Sequence, residues 1–215
     1  MRKFAISYSC GKDSTLALYR MIKDGHKPVA LIVNFYEDDS RSWLHGVNED
    51  LLDKISDSLN IPLIKSKHNK SSYGEEFEKS LIKAKALGAD CCVFGDIDIE
   101  DHRTWCVDRC AAAGIEAIHP LWQESRKLLA YEFVDSGFKA IIKAVSKQHK
   151  LNPNILGRRL TRDEIDFIAK CGADPCGENG EYHTFVYSGP IFKNNIKFNM
   201  GKIVNTQYSY SINIW

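Results

Sequence analysis

Pro28 to Phe35, Pro-Val-Ala-Leu-Ile-Val-Asn-Phe, is a nearly unbroken apolar run rich in β-branched residues. A strand with one wet face would alternate, so this one predicts a strand covered on both faces, as in a parallel sheet sandwiched by helices. The surrounding pattern agrees. Phe4 to Tyr8 reads as a short buried strand, and Leu16, Ala17, Tyr19 and Ile22 as an amphipathic helix stopping near Gly25. Val47 to Leu59 follows as a helix, Ile61 to Ile64 as a strand, Phe77 to Leu87 as a helix and Cys91 to Ile97 as a strand. Arg103 to Ala113 and Ile115 to Leu121 complete a further helix and strand. This rhythm predicts an α/β fold with a doubly wound, mainly parallel sheet, whose ligands sit at the carboxyl ends of strands.

From Ser125 the rhythm changes. A helix through Leu128 and Phe133, a β-rich run from Phe138 to Val145 and a helix from Leu160 to Ala169 precede strand and turn signals only, including Tyr182 to Tyr187 and Tyr208 to Ile214. The expectation is a nucleotide-binding domain over residues 1–122 and a smaller α+β subdomain over 123–215.

The first strand runs into Ser9-Cys10-Gly11-Lys12-Asp13-Ser14 and then a helix. A strand, a turn and a helix start gather backbone N–H groups and the positive end of a helix dipole at one point, where a polyphosphate fits. Gly11 permits close backbone approach, Ser9 and Ser14 offer hydroxyls, Lys12 a mobile cation, and Asp13 a ligand for Mg²⁺. The Walker A loop is excluded, because Ile6 stands where its first Gly belongs and Asp13 follows Lys12 in place of Ser or Thr. Gly95-Asp96-Ile97, at the end of another strand, is placed to complete a nucleotide pocket, and Asn34 near the end of the Pro28 strand is a further candidate contact.

Asp174 to Thr184 concentrates carboxylates, a carboxamide, an imidazole and glycines in one loop entering a strand. Glu178 and Glu181 are candidates to orient an amine or bind its ammonium form, Asn179 to donate to a carboxylate oxygen, and His183 to move a proton near neutral pH. A solvated acidic turn with Gly180 at positive φ is the plain alternative.

The chain of 215 residues carries 29 basic and 28 acidic side chains, a net charge of +1 that argues against a broad nucleic-acid footprint. No apolar stretch approaches the roughly 20 residues of a membrane span, and the amino terminus lacks a signal core, so a cytoplasmic protein is expected. Seven scattered cysteines without Cys-x-x-Cys spacing read as reduced structural thiols. Trp43, Trp105 and Trp122 read as packing residues.

The turn resembles the Ser-Gly-Gly-x-Asp-Ser signature of PP-loop ATP pyrophosphatases, with Cys10 replacing the first Gly. That replacement argues against a left-handed backbone at residue 10, which Gly alone adopts freely. Pro175-Cys176-Gly177-Glu178-Asn179-Gly180-Glu181, followed by His183-Thr184-Phe185, is similar to the signature of the diphthine-ammonia ligase family, the N-type ATP pyrophosphatases. Val93 to Ile97, Pro120-Leu121-Trp122 and Leu156-Gly157-Arg158 match further, in family order.

The resemblance implies that ATP adenylates the carboxylate of diphthine, a modified histidine of elongation factor 2, and that ammonia displaces AMP. It implies ATP and Mg²⁺ as cofactors, ammonia drawn from solution, and Asp96 as a nucleotide or metal contact. It also implies an acceptor site around Gly177, Glu178, Asn179 and Glu181. His102-Arg103-Thr104-Trp105 departs from the Tyr-Gln-Arg wording usual in eukaryotic members, and His102 and Arg103 are expected to face the acceptor. Amidation of another carboxylate, a PP-loop tRNA-modifying enzyme and a non-catalytic nucleotide sensor are the competing readings, and assembly into a homo-oligomer is left open.

Overall fold

A computed structural model describes residues 1–36, 46–69, 71–149 and 151–215. Trp43 lies outside them. The amino-terminal half alternates strand and helix: β1 (Lys3–Ser7), α1 (Lys12–Lys23), β2 (Lys27–Tyr36), α2 (Glu49–Leu59), β3 (Leu63–His68), α3 (Tyr73–Ala86), β4 (Cys91–Val93), α4 (Glu100–Ala113) and β5 (Glu116–Ile118). All strand pairings are parallel, in the order β3-β2-β1-β4-β5. Chain order reverses between β1 and β4, and a crevice opens where their carboxyl ends diverge.

The unbroken apolar character of the strands has the expected cause. Phe4, Ile6, Leu31 and Val33 face one layer, with Leu16, Leu18, Leu51, Ile55, Leu129 and Phe133. Ala5, Ile32 and Cys92 face the other, with Phe77, Leu81, Cys106 and Cys110. Successive residues of a strand point to opposite faces, so a sheet with helices on both sides needs apolar residues at every position.

The remaining elements are α5 (Arg126–Asp135), β6 (Lys139–Ser146), a 3-10 turn at Pro153–Ile155, α6 (Arg162–Lys170), β7 (Tyr182–Ser188), β8 (Met200–Asn205) and β9 (Ser209–Ile214). The four strands form an antiparallel sheet ordered β7-β6-β9-β8. It shares a core with the first layer: Phe138 stacks on Phe133 at 5.1 Å and meets Tyr19 of α1 edge-on at 5.3 Å. The backbone N–H of Val186, in β7, donates to the Cys10 carbonyl at 2.9 Å. The second sheet therefore lies against the turn that follows β1.

Several elements differ from expectation, among them α3, which begins at Tyr73 where Phe77 was expected, and β5, which ends at Ile118 where Leu121 was expected. The strand expected through Ile97 ends at Val93, because the chain turns at Gly95 to lie against the start of α1. A Cβ there would fall 2.7 Å from the Ser14 backbone nitrogen. The strand expected at Ile61 begins at Leu63 and runs on to His68, after Pro62, whose carbonyl accepts from Leu31. β8 had no forecast: it is an exposed edge strand, and without a buried face it carries no period-2 signal. No helix among the described residues is long and apolar enough to cross a membrane.

Candidate active site at the sheet switch point

The turn after β1 is built from hydroxyls and backbone. Ser9 and Ser14 bond each other through their Oγ atoms at 3.1 Å, Ser9 Oγ accepts from Gly11 N–H at 3.3 Å, and Thr15 Oγ1 donates to the Gly11 carbonyl at 2.8 Å. Gly11 is the extended cap of α1, which has no side-chain cap of its own. The positive end of the helix dipole is thus presented to the cleft. Cys10 overturns the expectation drawn from its side chain: its φ is +65°, in the left-handed region. That conformation costs a non-glycine residue about 1–2 kcal/mol. Burial of the thiol in the core and the bond from Val186 hold it in place.

Lys12 is not the mobile cation expected. It is 4 % exposed, its backbone N–H donates to Thr184 Oγ1 at 3.0 Å, and its Nζ donates to both Asp13 oxygens, at 2.7 and 2.9 Å, and to the Cys176 carbonyl. Burial, the largest single influence, pulls the pKa of this ammonium down, but the charges of Asp13, Cys176 and Tyr182 and the Asp13 hydrogen bond together outweigh it and leave the pKa well above the ordinary value. The Asp13 carboxylate also faces the Cys176 thiol at 3.4 Å.

The loop before β7 is shaped by its own carboxylates. Asp174 accepts from the backbone N–H of Cys176 at 2.9 Å and of Glu178 at 3.0 Å. Glu181 accepts from the backbone N–H of Asp174 and Asn179 and from Asn179 Nδ2, at 3.1–3.3 Å. Glu181 is buried and does not line the cleft, so it is not placed to grip an amine as expected, whereas Asn179 lines the cleft with one of its two amide N–H groups bonded to Glu181. Gly177 has φ +72°, and a Cβ there would fall 2.9 Å from Tyr182. Arg126 braces the loop from outside, bonding Asp174 at 2.6 Å and Asp98 at 2.5 Å.

Glu178 does face the cleft. It accepts from Ile97 N–H at 3.1 Å, and burial, followed by the negative charge of Asp13, pushes its carboxyl up to about 7 against the opposing pull of Ile97 N–H and Lys12. His183, on β7, is lowered by burial and then by Lys12, which keeps it neutral near pH 7. On the β4 side His102 Nδ1 lies 3.4 Å from Asp96, whose hydrogen bond raises the imidazole pKa. Arg103 does not line the cleft: its guanidinium lies over the Trp122 ring at 4.9 Å and beside Glu100.

One cleft of about 840 Å³ unites Ser9, Lys12, Asp13, Ser14, Asn34, Gly95, Asp96, His102, Gly177, Glu178, Asn179 and His183. Cys10 and Gly11 support its floor without lining it. Sequence reasoning missed Tyr73 in the lining, placed Thr184 in the dense loop without a role, and read Trp105 only as packing. Trp105 does stack on Tyr73, at 5.0 Å, and the two rings form part of the cleft wall. Among the described residues Asn34 Oδ1 is buried and has no hydrogen-bond partner, a vacancy that a ligand donor would fill.

A parallel sheet with a phosphate-type turn at its switch point, faced across a cleft by an acidic loop from a second sheet, defines an α/β nucleotide-binding protein. Residues 1–117 match the family described as Diphthamide synthase N-terminal domain, and residues 125–212 its C-terminal counterpart. The chain belongs to the diphthamide synthase family. It is 28 % identical over 211 residues to the diphthine–ammonia ligase of Danio rerio, covering 87 % of this chain and 83 % of that one. It is 26 % identical to the Schizosaccharomyces pombe enzyme of the same name over 87 % of this chain but 34 % of the yeast protein, which is far longer. A solved chain described as a predicted subunit of tRNA methyltransferase, from Methanocaldococcus jannaschii, aligns over 91 % of this chain and 100 % of its own length with a TM-score of 0.45 and 15 % identity.

Proposed function

We propose that this chain is an AMP-forming carboxylate–ammonia ligase that activates a diphthine-like carboxylate with ATP and converts it to the amide. The observation that carries this reading is that the turn and Glu178 share one cleft, with Lys12 of the turn bonded to the Cys176 carbonyl of the acidic loop. In the proposed reaction the acceptor carboxylate oxygen attacks the α-phosphorus of ATP, and the bond to pyrophosphate breaks. The nitrogen of ammonia then attacks the acyl carbon, AMP leaves, and the nitrogen gives up a proton.

The start of α1 and Lys12 are placed to hold the outer phosphates and to stabilise the charge that builds on pyrophosphate. Asn34 offers its unpaired oxygen to the nucleoside. Glu178, titrating near neutrality, is matched to receive the proton lost by the nucleophile. The acceptor would lie between Glu178 and His102, against the Tyr73–Trp105 wall. Residues 1–122 would thus carry the nucleotide and 123–215 the loop that closes over the acceptor.

Mg²⁺ fits this donor set. Asp13 is a hard oxygen ligand in the cleft, and its two carboxylate oxygens, each accepting one bond from Lys12 Nζ, keep further lone pairs for a metal ion. Asp13 would hold the ion, which when bound neutralises polyphosphate charge. With free ATP and ammonia as reactants, the cytoplasm is the proposed compartment.

The test is incubation of the full chain with ATP, Mg²⁺, ammonium and a panel of carboxylates including a diphthine-bearing peptide. AMP and pyrophosphate in step with amide are expected. Release of ADP and phosphate would refute the reading.

A further inference from the structure

We propose a second metal site in the cleft wall, formed by Asp96, Cys106 and His119 and suited to zinc or a similar borderline divalent transition metal. Oxygen, sulfur and nitrogen donors of these residues lie within 4.8 Å of one another. They come from three places: the loop after β4, the middle of α4 and the segment after β5. No short spacing in the sequence joins them, which is why the cysteines read as structural thiols.

The arrangement has the parts of a built site. Cys106 Sγ lies 3.9 Å from Asp96 Oδ2, while the other carboxylate oxygen, Oδ1, lies 3.4 Å from His102 Nδ1. One oxygen therefore faces the thiol and the other is held from behind, as ligating carboxylates are commonly oriented by an outer partner. The His119 ring is fixed by stacking on Phe94 at 5.3 Å and by edge contact with Trp122 at 5.7 Å. Its Nε2 is buried and, among the described residues, has no hydrogen-bond partner. An unmet polar atom of this kind carries a desolvation penalty that coordination removes.

The donor set selects the metal. Mg²⁺ and Ca²⁺ prefer oxygen, whereas a mixed carboxylate, thiolate and imidazole set suits zinc and its neighbours. Binding replaces the Cys106 S–H bond with an S–metal bond and releases the proton to solvent, so two negative ligands neutralise the dication. Asp96 and Cys106 line the cleft, so three protein ligands leave a fourth position open toward it, the pattern of sites that act on bound molecules. The site is separate from Asp13 and does not depend on the proposed ligase reaction.

Titration of the full chain with cobalt(II), without ATP, tests it. One equivalent should bind with the thiolate-to-cobalt charge-transfer band and the intense visible bands of four-coordinate cobalt, and zinc should displace it. Cys106→Ser should abolish the charge-transfer band and weaken zinc binding by at least the roughly tenfold that loss of even an outer partner of a ligand costs, whereas Cys110→Ser and Cys171→Ser should retain both. If Cys106→Ser fails to fold by circular dichroism, Asp96→Asn and His119→Gln replace it, each expected to weaken zinc to the same degree. Absence of stoichiometric binding would overturn the proposal, as would a spectrum without thiolate character, which would place cobalt on Asp96, His102 and Glu178 instead. A charge-transfer band that persists in Cys106→Ser, or zinc affinity unchanged in Asp96→Asn and His119→Gln, would equally overturn it.

Discussion

The turn at residues 9–14 and the loop at residues 174–181 meet across one cleft, yet they are built by opposite means. In the turn, serine and threonine hydroxyls and the Gly11 backbone close the shape, and the charges are added on top as the Lys12–Asp13 pair. In the loop, the charges are the shape: Asp174 and Glu181 take up backbone N–H groups of their own segment. Of the loop's carboxylates only Glu178 is left facing the cleft. A dense acidic sequence therefore overstates the number of reacting groups. Those that accept loop N–H bonds are scaffold, and the one whose pKa rises is the candidate for chemistry.

The largest expected effect falls on the turn. Lys12→Met removes the cation beside the proposed pyrophosphate position and should lower AMP formation by about 10³-fold, the scale of losing a preorganised electrostatic group. Asp13→Ala should abolish AMP formation with the fold retained, measured by nucleotide chromatography. AMP formation at the normal rate in either variant would show that the turn only holds the chain together.

Glu178→Gln separates the two regions. Nucleotide affinity should stay within about twofold while amide formation falls by about 10²-fold, the usual contribution of a general base. The same variant tests the pKa by stability. Folding raises the Glu178 pKa from 4.5 to about 7, so its contribution is full below pH 4.5 and is lost as pH rises through about 7. In the metal-free protein at about pH 8, Glu178→Gln should be more stable than the parent by about 1–2 kcal/mol after discounting for partial solvent screening. Equal urea midpoints at that pH would show that Glu178 is not perturbed.

Arg126 supplies a smaller effect. It links Asp174, and so the backbone of Glu178, to Asp98 beside the other wall. Arg126→Ala should raise the KM for acceptor about fivefold with little change in the KM for ATP, and Arg126→Lys should restore part of it, since Lys keeps the charge but not the two-pronged geometry. A matching rise in both KM values would mean that the latch supports the whole cleft.

Much of this was legible in the sequence because local rules and the global fold agree. The runs around Ile6 and Ile32 fixed a sheet covered on both faces, and the Ser9–Ser14 segment and Gly95 fell at the strand ends where the order reverses. Glu178 and His183 were legible as members of a dense loop. What stayed hidden depends on long-range partners. Glu181 differs from Glu178 in its deeper burial and in the loop N–H groups that surround it, Arg103 turns away because Trp122 and Glu100 receive it, and the Lys12 side chain loses its mobility to Asp13 and to the carbonyl of Cys176, 164 residues away in sequence. Tyr73 had no signal until α3 and α4 were brought side by side.

The smallest test concerns Cys10, where sequence preference and structure disagree. A left-handed residue with a side chain is strained by about 1–2 kcal/mol. Glycine removes that strain but loosens the unfolded chain by about 0.4–1 kcal/mol. Replacement by Ala or Gly forfeits the buried thiol in both cases, so the comparison between the two isolates the backbone. At an ordinary position Ala would be the more stable. Here φ of +65° reverses the order, and Cys10→Gly should exceed Cys10→Ala by about 0.5–1 kcal/mol in urea denaturation. If Ala proves the more stable, the turn does not hold residue 10 left-handed in solution, and the cradle it shapes under the phosphates is lost with it.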